Sequence, residues 1–455
     1  MNHRIKKEHS YVRFWWLFSS LAAMIFVRYG LQIGIPRVLA LIPIVTIALL
    51  GNQTEIIAIC MCLIPFHESL DFYYALVLVI AIYVIRCHDR IKINASVFPA
   101  FLIVIWELLH CFNGDFSPRI LITSLSPTIA LVIILCSDFT DLDYAFVVRA
   151  VAMAALVTCL SMLAQVAWIS RFNLTAFMLN LRRLGALDEA SKDRLQITGG
   201  LVQTNSLGVI CVIVTACLLQ LRAAAQSKKS DKYIMLTLLI FGTLTASRTF
   251  LVCLLLMIFL VFLGQKGGKK KVQYLGIAAL MGCFVVIILV LFFPDQLEYY
   301  ISRFFESDIT TGRDDLMVNY HRFITKNLDV MFFGIGLQNY GEKLTVLYRV
   351  ASNVPHNCVQ EIVVAWGIPG LLLVILLILQ LFYRNGRSME RRSILNYIPL
   401  IIVLFKSVAG QLLTSNYTML ALAFAYISLI QNLSEDLGVA IHNKGTSSAQ
   451  TVYTG

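Results

Sequence analysis

The sequence predicts an all-α polytopic membrane protein of about 12–14 transmembrane helices with a helical outer loop. Three observations carry that prediction. Of 455 residues, 58% are hydrophobic and 14% charged, against roughly 25% charged in a soluble domain. The mean hydropathy is +0.78, so a water-soluble globule would have to expose large apolar patches, and soluble, disordered and fibrous classes are excluded. Finally, the apolar residues are gathered into fourteen runs. Spans of about 20 residues in that number would use roughly 60% of the chain.

The runs lie at approximately 14–27, 38–50, 55–65, 72–85, 97–112, 120–136, 145–169, 199–221, 233–246, 249–264, 272–293, 358–383, 394–413 and 416–432. The second, third and ninth are short for a span and read as tilted halves or re-entrant pieces. If 38–65 is one re-entrant hairpin, two spans vanish together and the topology is unchanged. The opening MNHRIKKEHSYVR has the basic character of a signal peptide. Further spans follow at once, so it reads as the cytoplasmic start of an uncleaved first helix.

Alternating the spans from that start sorts the basic residues as the positive-inside rule expects. The loops RCHDRIK, RAAAQSKKSDK, QKGGKKK and RNGRSMERR fall inside with 3, 4, 4 and 4 Lys or Arg. Inner segments, with Arg149 at the mouth of the seventh run, hold 21 of the 37 basic residues; outer segments hold 15, and Lys406 lies within a run. The net charge of +11 is therefore mostly a set of membrane anchors, not a nucleic-acid signal. The chain divides into a first bundle of about eleven spans (1–293), a large extracytoplasmic loop (294–357), the last three spans (358–433) and a polar, unstructured cytoplasmic tail (434–455).

In the large loop, Leu297, Tyr300, Ile301, Phe304 and Phe305, then Leu316, Tyr320, Phe323 and Ile324, recur at helical spacing. They predict two amphipathic helices along the membrane surface. Thr311-Gly-Arg-Asp314 has the form of a capping box and would start the second near Gly312. Most of the eleven cysteines sit in apolar runs and read as small hydrophobes. No spacing matches a metal site, so no metal and no cofactor are expected.

The unusual polar residues cluster on the outer side. Arg248, in Ser247-Arg248-Thr249, either snorkels at a turn between helices or offers its planar fork of donors to phosphate oxygens. Arg313 is a solvated loop arginine or an anion ligand at a helix start. His356, in Val354-Pro355-His356-Asn357, stands at the membrane boundary, where an imidazole can take or hold a proton. Glu361 lies one turn further on. Lys406, in VLFKSVAG, is the most expensive charge in the chain and calls for a partner or a wet cavity. Glu361 and Glu107 are the candidate partners, in a structural ion pair or in direct chemistry.

These segments, taken in order, resemble the O-antigen polymerase and O-antigen ligase superfamily: SRT heading an apolar run, Thr-Gly-Arg313, FFGIGLQNY, PHNCVQE, then AWGIPG. The resemblance covers Thr243 to Gly370. It implies a GT-C-like bundle and a metal-independent glycosyltransferase in a bacterial cytoplasmic membrane, with its active site on the extracytoplasmic face. The implied donor is an undecaprenyl-pyrophosphate-linked oligosaccharide and the acceptor a glycan hydroxyl, with membrane lipid around them, a chain-length regulator as a further partner and no nucleic acid. On matching positions, Arg248 and Arg313 would hold the pyrophosphate and His356 would activate or position the acceptor. Asn357, Gly334 and Gly336 would support the loop, with Glu361 and Lys406 as possible support. One pattern of some polymerases, an Arg and a Gly separated by ten residues, is not met: Arg322 and Gly334 have eleven between. The favoured reading is a repeat-unit polymerase. The alternatives are a ligase that uses a different envelope acceptor, and a lipid-linked glycan flippase or transporter.

Overall fold

A computed structural model describes residues 2–68, 70–93, 97–112, 118–177, 204–245, 247–264, 313–337, 340–349, 355, 357–386, 394–408, 410–415 and 417–430, with isolated positions between 268 and 301. The described residues form helices and loops, joined by one isolated bridge between Ile91 and Ser137. In chain order the helices are α1 (Asn2–Ile25), α2 (Leu41–Leu50), α3 (Gln53–Cys62), α4 (Phe72–Arg86), α5 (Phe98–Phe112), α6 (Pro118–Cys136) and α7 (Tyr144–Ile169). There follow α8 (Thr204–Ala223), α9 (Lys229–Leu244), α10 (Arg248–Gly264), α11 (Arg313–Lys326), α12 (Leu328–Phe333), α13 (Cys358–Gly386), α14 (Ile398–Val408) and α15 (Thr418–Ile430).

The chain is an all-α membrane protein. Tyr144–Ile169, Asn205–Ala223 and Cys358–Phe382 are long and apolar enough to cross a membrane unaided, and eight shorter apolar helices of 10–17 residues accompany them. At 1.5 Å per residue, a helix of 17 residues covers about 26 Å, most of a hydrocarbon core. The two short runs at 38–65 become α2 and α3, joined at Gly51 and Asn52. Asn52 caps α3 reciprocally with Glu55: its side chain accepts from the Glu55 amide (3.1 Å), and its own amide donates to the Glu55 carboxylate (2.9 Å). From Thr54 to Cys62 every residue of α3 is buried, as are Thr418 to Leu429 of α15. Helices that are apolar all round belong inside a bundle, so these two are its interior rods.

Interhelical polar contacts gather at two ends. At one, Arg13 donates to the Leu50 carbonyl (2.6 Å), Arg86 to those of Leu49 (2.6 Å) and Gly51 (2.5 Å), and Arg149 to Gln226 O (2.6 Å) while pairing with Asp231. Lys92 meets Asp138 at 2.8 Å and holds that carboxyl below the usual range. This is the end rich in basic residues, the one that the charge rule assigns to the cytoplasm. The opposite end carries the segments with the unusual polar residues.

Three details stand out there. The run 358–383 is not one unbroken rod: α13 is interrupted at Gly367 (φ 69°, ψ −173°), two residues before Pro369. The run 394–413 ends as a helix at Val408 and continues as an irregular segment. Finally, α11 does spend its apolar face, but on protein: Tyr320, Phe323 and Ile324 are buried, where α11 packs on α12 and α13. The first amphipathic helix, apart from Ile301, lies outside the described residues, as does Thr311 of the capping box.

Candidate active site

The outer half of α13, Cys358 to Trp366, follows Asn357 and carries Glu361. Asn357 is its cap: the side-chain carbonyl accepts from the amides of Val359 (2.9 Å) and Gln360 (3.3 Å), satisfying donors that a helix start leaves open. His356 lies outside the described residues, between the buried Pro355 and this cap. Gln360 reaches across to α11 and donates to the Met317 carbonyl (2.8 Å). Met317 is four residues after Arg313, so this hydrogen bond ties the first turns of α11 to the start of α13. Arg313 heads α11 by its backbone.

At its far end the half-helix enters a clasp. Ile335 N donates to Val364 O (2.9 Å) and Gly336 N to Ala365 O (2.7 Å), two bonds from FFGIG to the broken helix. The approach is so close that a Cβ on Gly334 would lie 2.4 Å from Ala365 O, and one on Gly367 2.4 Å from Phe332 O. Both glycines have φ near +70 to +78° with ψ near 180°, a region that is essentially reserved for glycine. From α5, Glu107 accepts from Leu337 N (2.9 and 3.0 Å) and from the Trp366 indole (2.6 Å). Trp106 donates to Trp366 O (3.0 Å), and a ring nitrogen of His110 meets Phe333 O at 2.8 Å. Lys343 closes the other side on Ile335 O (2.6 Å); burial pushes its ammonium below the ordinary lysine range, against the pull of Glu107.

Glu361 and Lys406 hold a third piece, the irregular segment between α14 and α15. Glu361, fully buried, accepts from the amides of Leu412 (2.6 Å), Leu413 (3.0 Å) and Thr414 (2.8 Å) and from the Thr414 hydroxyl (2.5 Å). Lys406 donates to Gln411 O (3.1 Å), Ser415 Oγ (3.2 Å) and Thr418 Oγ1 (2.8 Å), with its Nζ 4.9 Å from the centre of the Tyr417 ring. An ammonium has three donors, and these three acceptors take them all. The expected ion pair is absent: no Lys406 contact within 4 Å of a carboxylate occurs among the described residues, and Glu107, the other candidate, is engaged in the clasp.

Arg248 opens α10, partly buried, behind Ser247, whose hydroxyl accepts from Phe250 N (3.2 Å) as a cap. Phe250 fixes this start by lying against Gly242, where an added Cβ would come within 2.2 Å of its ring. Among the described residues, no three His, Cys, Asp or Glu side chains converge as a metal site. Sequence reasoning named Glu107 for a different partner and overlooked Trp106, His110, Gln360, Trp366 and Lys343. The available signal was the run Trp106-Glu107 with His110 one turn on, three hydrogen-bonding side chains in an otherwise apolar helix.

The arrangement holds a capped helix start and two arginine-bearing segments on an apolar bundle. Residues 233–375 match the family model described as O-Antigen ligase, a region that includes Arg248, Arg313, Asn357, Glu361 and both halves of the clasp but not α5 or Lys406. No curated protein matches the chain.

Proposed function

With an O-antigen ligase-type domain at 233–375 as premise, we propose that this membrane protein is a glycan polymerase. It joins a glycan from an undecaprenyl-pyrophosphate donor to the hydroxyl of another lipid-linked glycan, on the extracytoplasmic face of a bacterial plasma membrane. In this reading the acceptor hydroxyl attacks the anomeric carbon while the bond from that carbon to the phosphate oxygen breaks. The hydroxyl proton passes to His356, and the pyrophosphate leaves on its prenyl carrier. Negative charge grows on the departing oxygen, where the guanidinium groups of Arg248 and Arg313 would stabilise it. A positioned base contributes roughly 100-fold or more to such a step.

The observation that carries the proposal is that the matched region contains all three of these residues in order. A second reading, transfer to a different envelope acceptor, is favoured by the ligase description of that family. Purified protein incubated with lipid-linked oligosaccharide separates the readings. A ladder of products on prenyl carriers supports polymerisation, and a single transfer to an unrelated acceptor supports the ligase. Movement of the glycolipid with no new glycosidic bond overturns both.

A further inference from the structure

We propose that Glu107, on α5 and outside the family-matched region, is a positioning residue for the glycosyl transfer, a role that rests on the transferase reading above. Glu107 is fully buried. Its carboxylate takes the backbone N–H of Leu337 with both oxygens (2.9 and 3.0 Å) and the Trp366 indole N–H with one (2.6 Å). Both partners are donors, so an acceptor-only group is required there. A glutamine would turn one oxygen into an NH2 facing N–H groups.

Glu107 thereby controls the outer half of α13. That half runs nine residues from Cys358 to Trp366, about 13 Å of helix, and the non-helical Gly367 sets it off from the inner half as a kink. It is held at Gln360 by the Met317 carbonyl, at Glu361 by the 412–414 amides, at Val364 and Ala365 by the 335–336 amides, and at Trp366 by Glu107 and Trp106. Glu107 bonds both sides of the clasp, Leu337 and Trp366, so its loss loosens that end of the rod and lets it shift. Its far end is the Asn357 cap, adjoining position 356 and bonded through Gln360 to the helix of Arg313. A displacement of about 1 Å at a reacting group costs about 100-fold in rate. The described contacts of Glu107 run to Leu337 and Trp366, so it acts through the orientation of the half-helix. An N-terminal helix thus completes a site whose other residues lie in the matched domain.

The test uses the full chain in nanodiscs, comparing wild type with Glu107→Gln, Trp366→Phe and the double variant, by thermal unfolding, hydrogen exchange and turnover of lipid-linked oligosaccharide. The expected result for folded Glu107→Gln is faster exchange at the amides of 335–337, kcat lower by about 100-fold and KM within about threefold. The double variant loses little more than Glu107→Gln alone, because both substitutions open one clasp. Wild-type kcat in a folded Glu107→Gln protein overturns the proposal, and so does unchanged exchange at 335–337. If Glu107→Gln is too unstable to purify, the Trp366→Phe protein carries the same test. If wild type transfers no glycan, the transferase reading fails; the exchange result still decides whether Glu107 orients the half-helix.

Discussion

Glu361, buried, and Lys406, half-buried, do not bond to one another; both hold the irregular segment between α14 and α15. Glu361 takes the amides of 412–414, while Lys406 takes the carbonyl of 411 and the hydroxyls of 415 and 418. A break in a membrane helix exposes backbone groups that lipid cannot satisfy. Here, two side chains replace the missing helical partners.

The two charges are therefore unequal. Glu361→Ala strands three amides, one buried and two half-buried, and is expected to cost about 3 kcal/mol. Lys406→Met leaves hydroxyls that can turn to other acceptors, and is expected to cost about 1 kcal/mol. Unfolding midpoints in detergent, with the double variant to close the cycle, check this. The double loss should fall short of the sum, since either change frees the same segment; strict additivity or the reverse order counts against it.

Gly367 and Gly334 are irreplaceable for two reasons at once, backbone conformation and contact with a carbonyl. Ala at either position is expected to cost about 3 kcal/mol or more, seen as lost yield or a lowered midpoint. Gly34, with nothing within 4 Å of an added Cβ, is the control that should tolerate alanine.

Gly242→Ala would press a methyl into the Phe250 ring and is expected to cost about 1–3 kcal/mol. Adding Phe250→Leu should restore part of the loss in midpoint. No restoration would mean that this contact does not set the start of α10.

Much of this was legible in the sequence. The run 145–169 became Tyr144–Ile169, and Leu316, Tyr320, Phe323 and Ile324 named the buried face of α11. Periodicity reports which face is apolar, not what covers it, so lipid was expected where α12 and α13 lie. The breaks at Gly367 and after Val408 had signals in Gly-Ile-Pro369 and Gly410, but hydropathy averages over them. Glu107 and Leu337 are 230 residues apart, and no local pattern announces such a contact. A buried charge near another charge was read as a pair because backbone partners are invisible to composition.

At the basic end, Lys92 holds the Asp138 carboxyl below its ordinary value of 3.8. The sign follows directly: the unfolded state binds the proton first as pH falls, so the pair stabilises the fold above the ordinary value and is lost below the depressed one. The pair is partly exposed, so about 0.5 kcal/mol is at stake. Asp138→Asn should lower the midpoint slightly at pH 7 and leave it unchanged well below pH 3.8; an equal loss at both would contradict the assignment.

The central claim, that the outer end of this bundle transfers glycan from a prenyl pyrophosphate, is tested most directly by one measurement. Release of prenyl pyrophosphate from lipid-linked oligosaccharide is followed with purified wild type, His356→Ala and Arg248→Ala, each with a chelator present. The account predicts release coupled to a new glycosidic bond in wild type, and a loss of about 100-fold or more in each variant. Full release by a folded His356→Ala protein, or wild-type release abolished by the chelator, would contradict it.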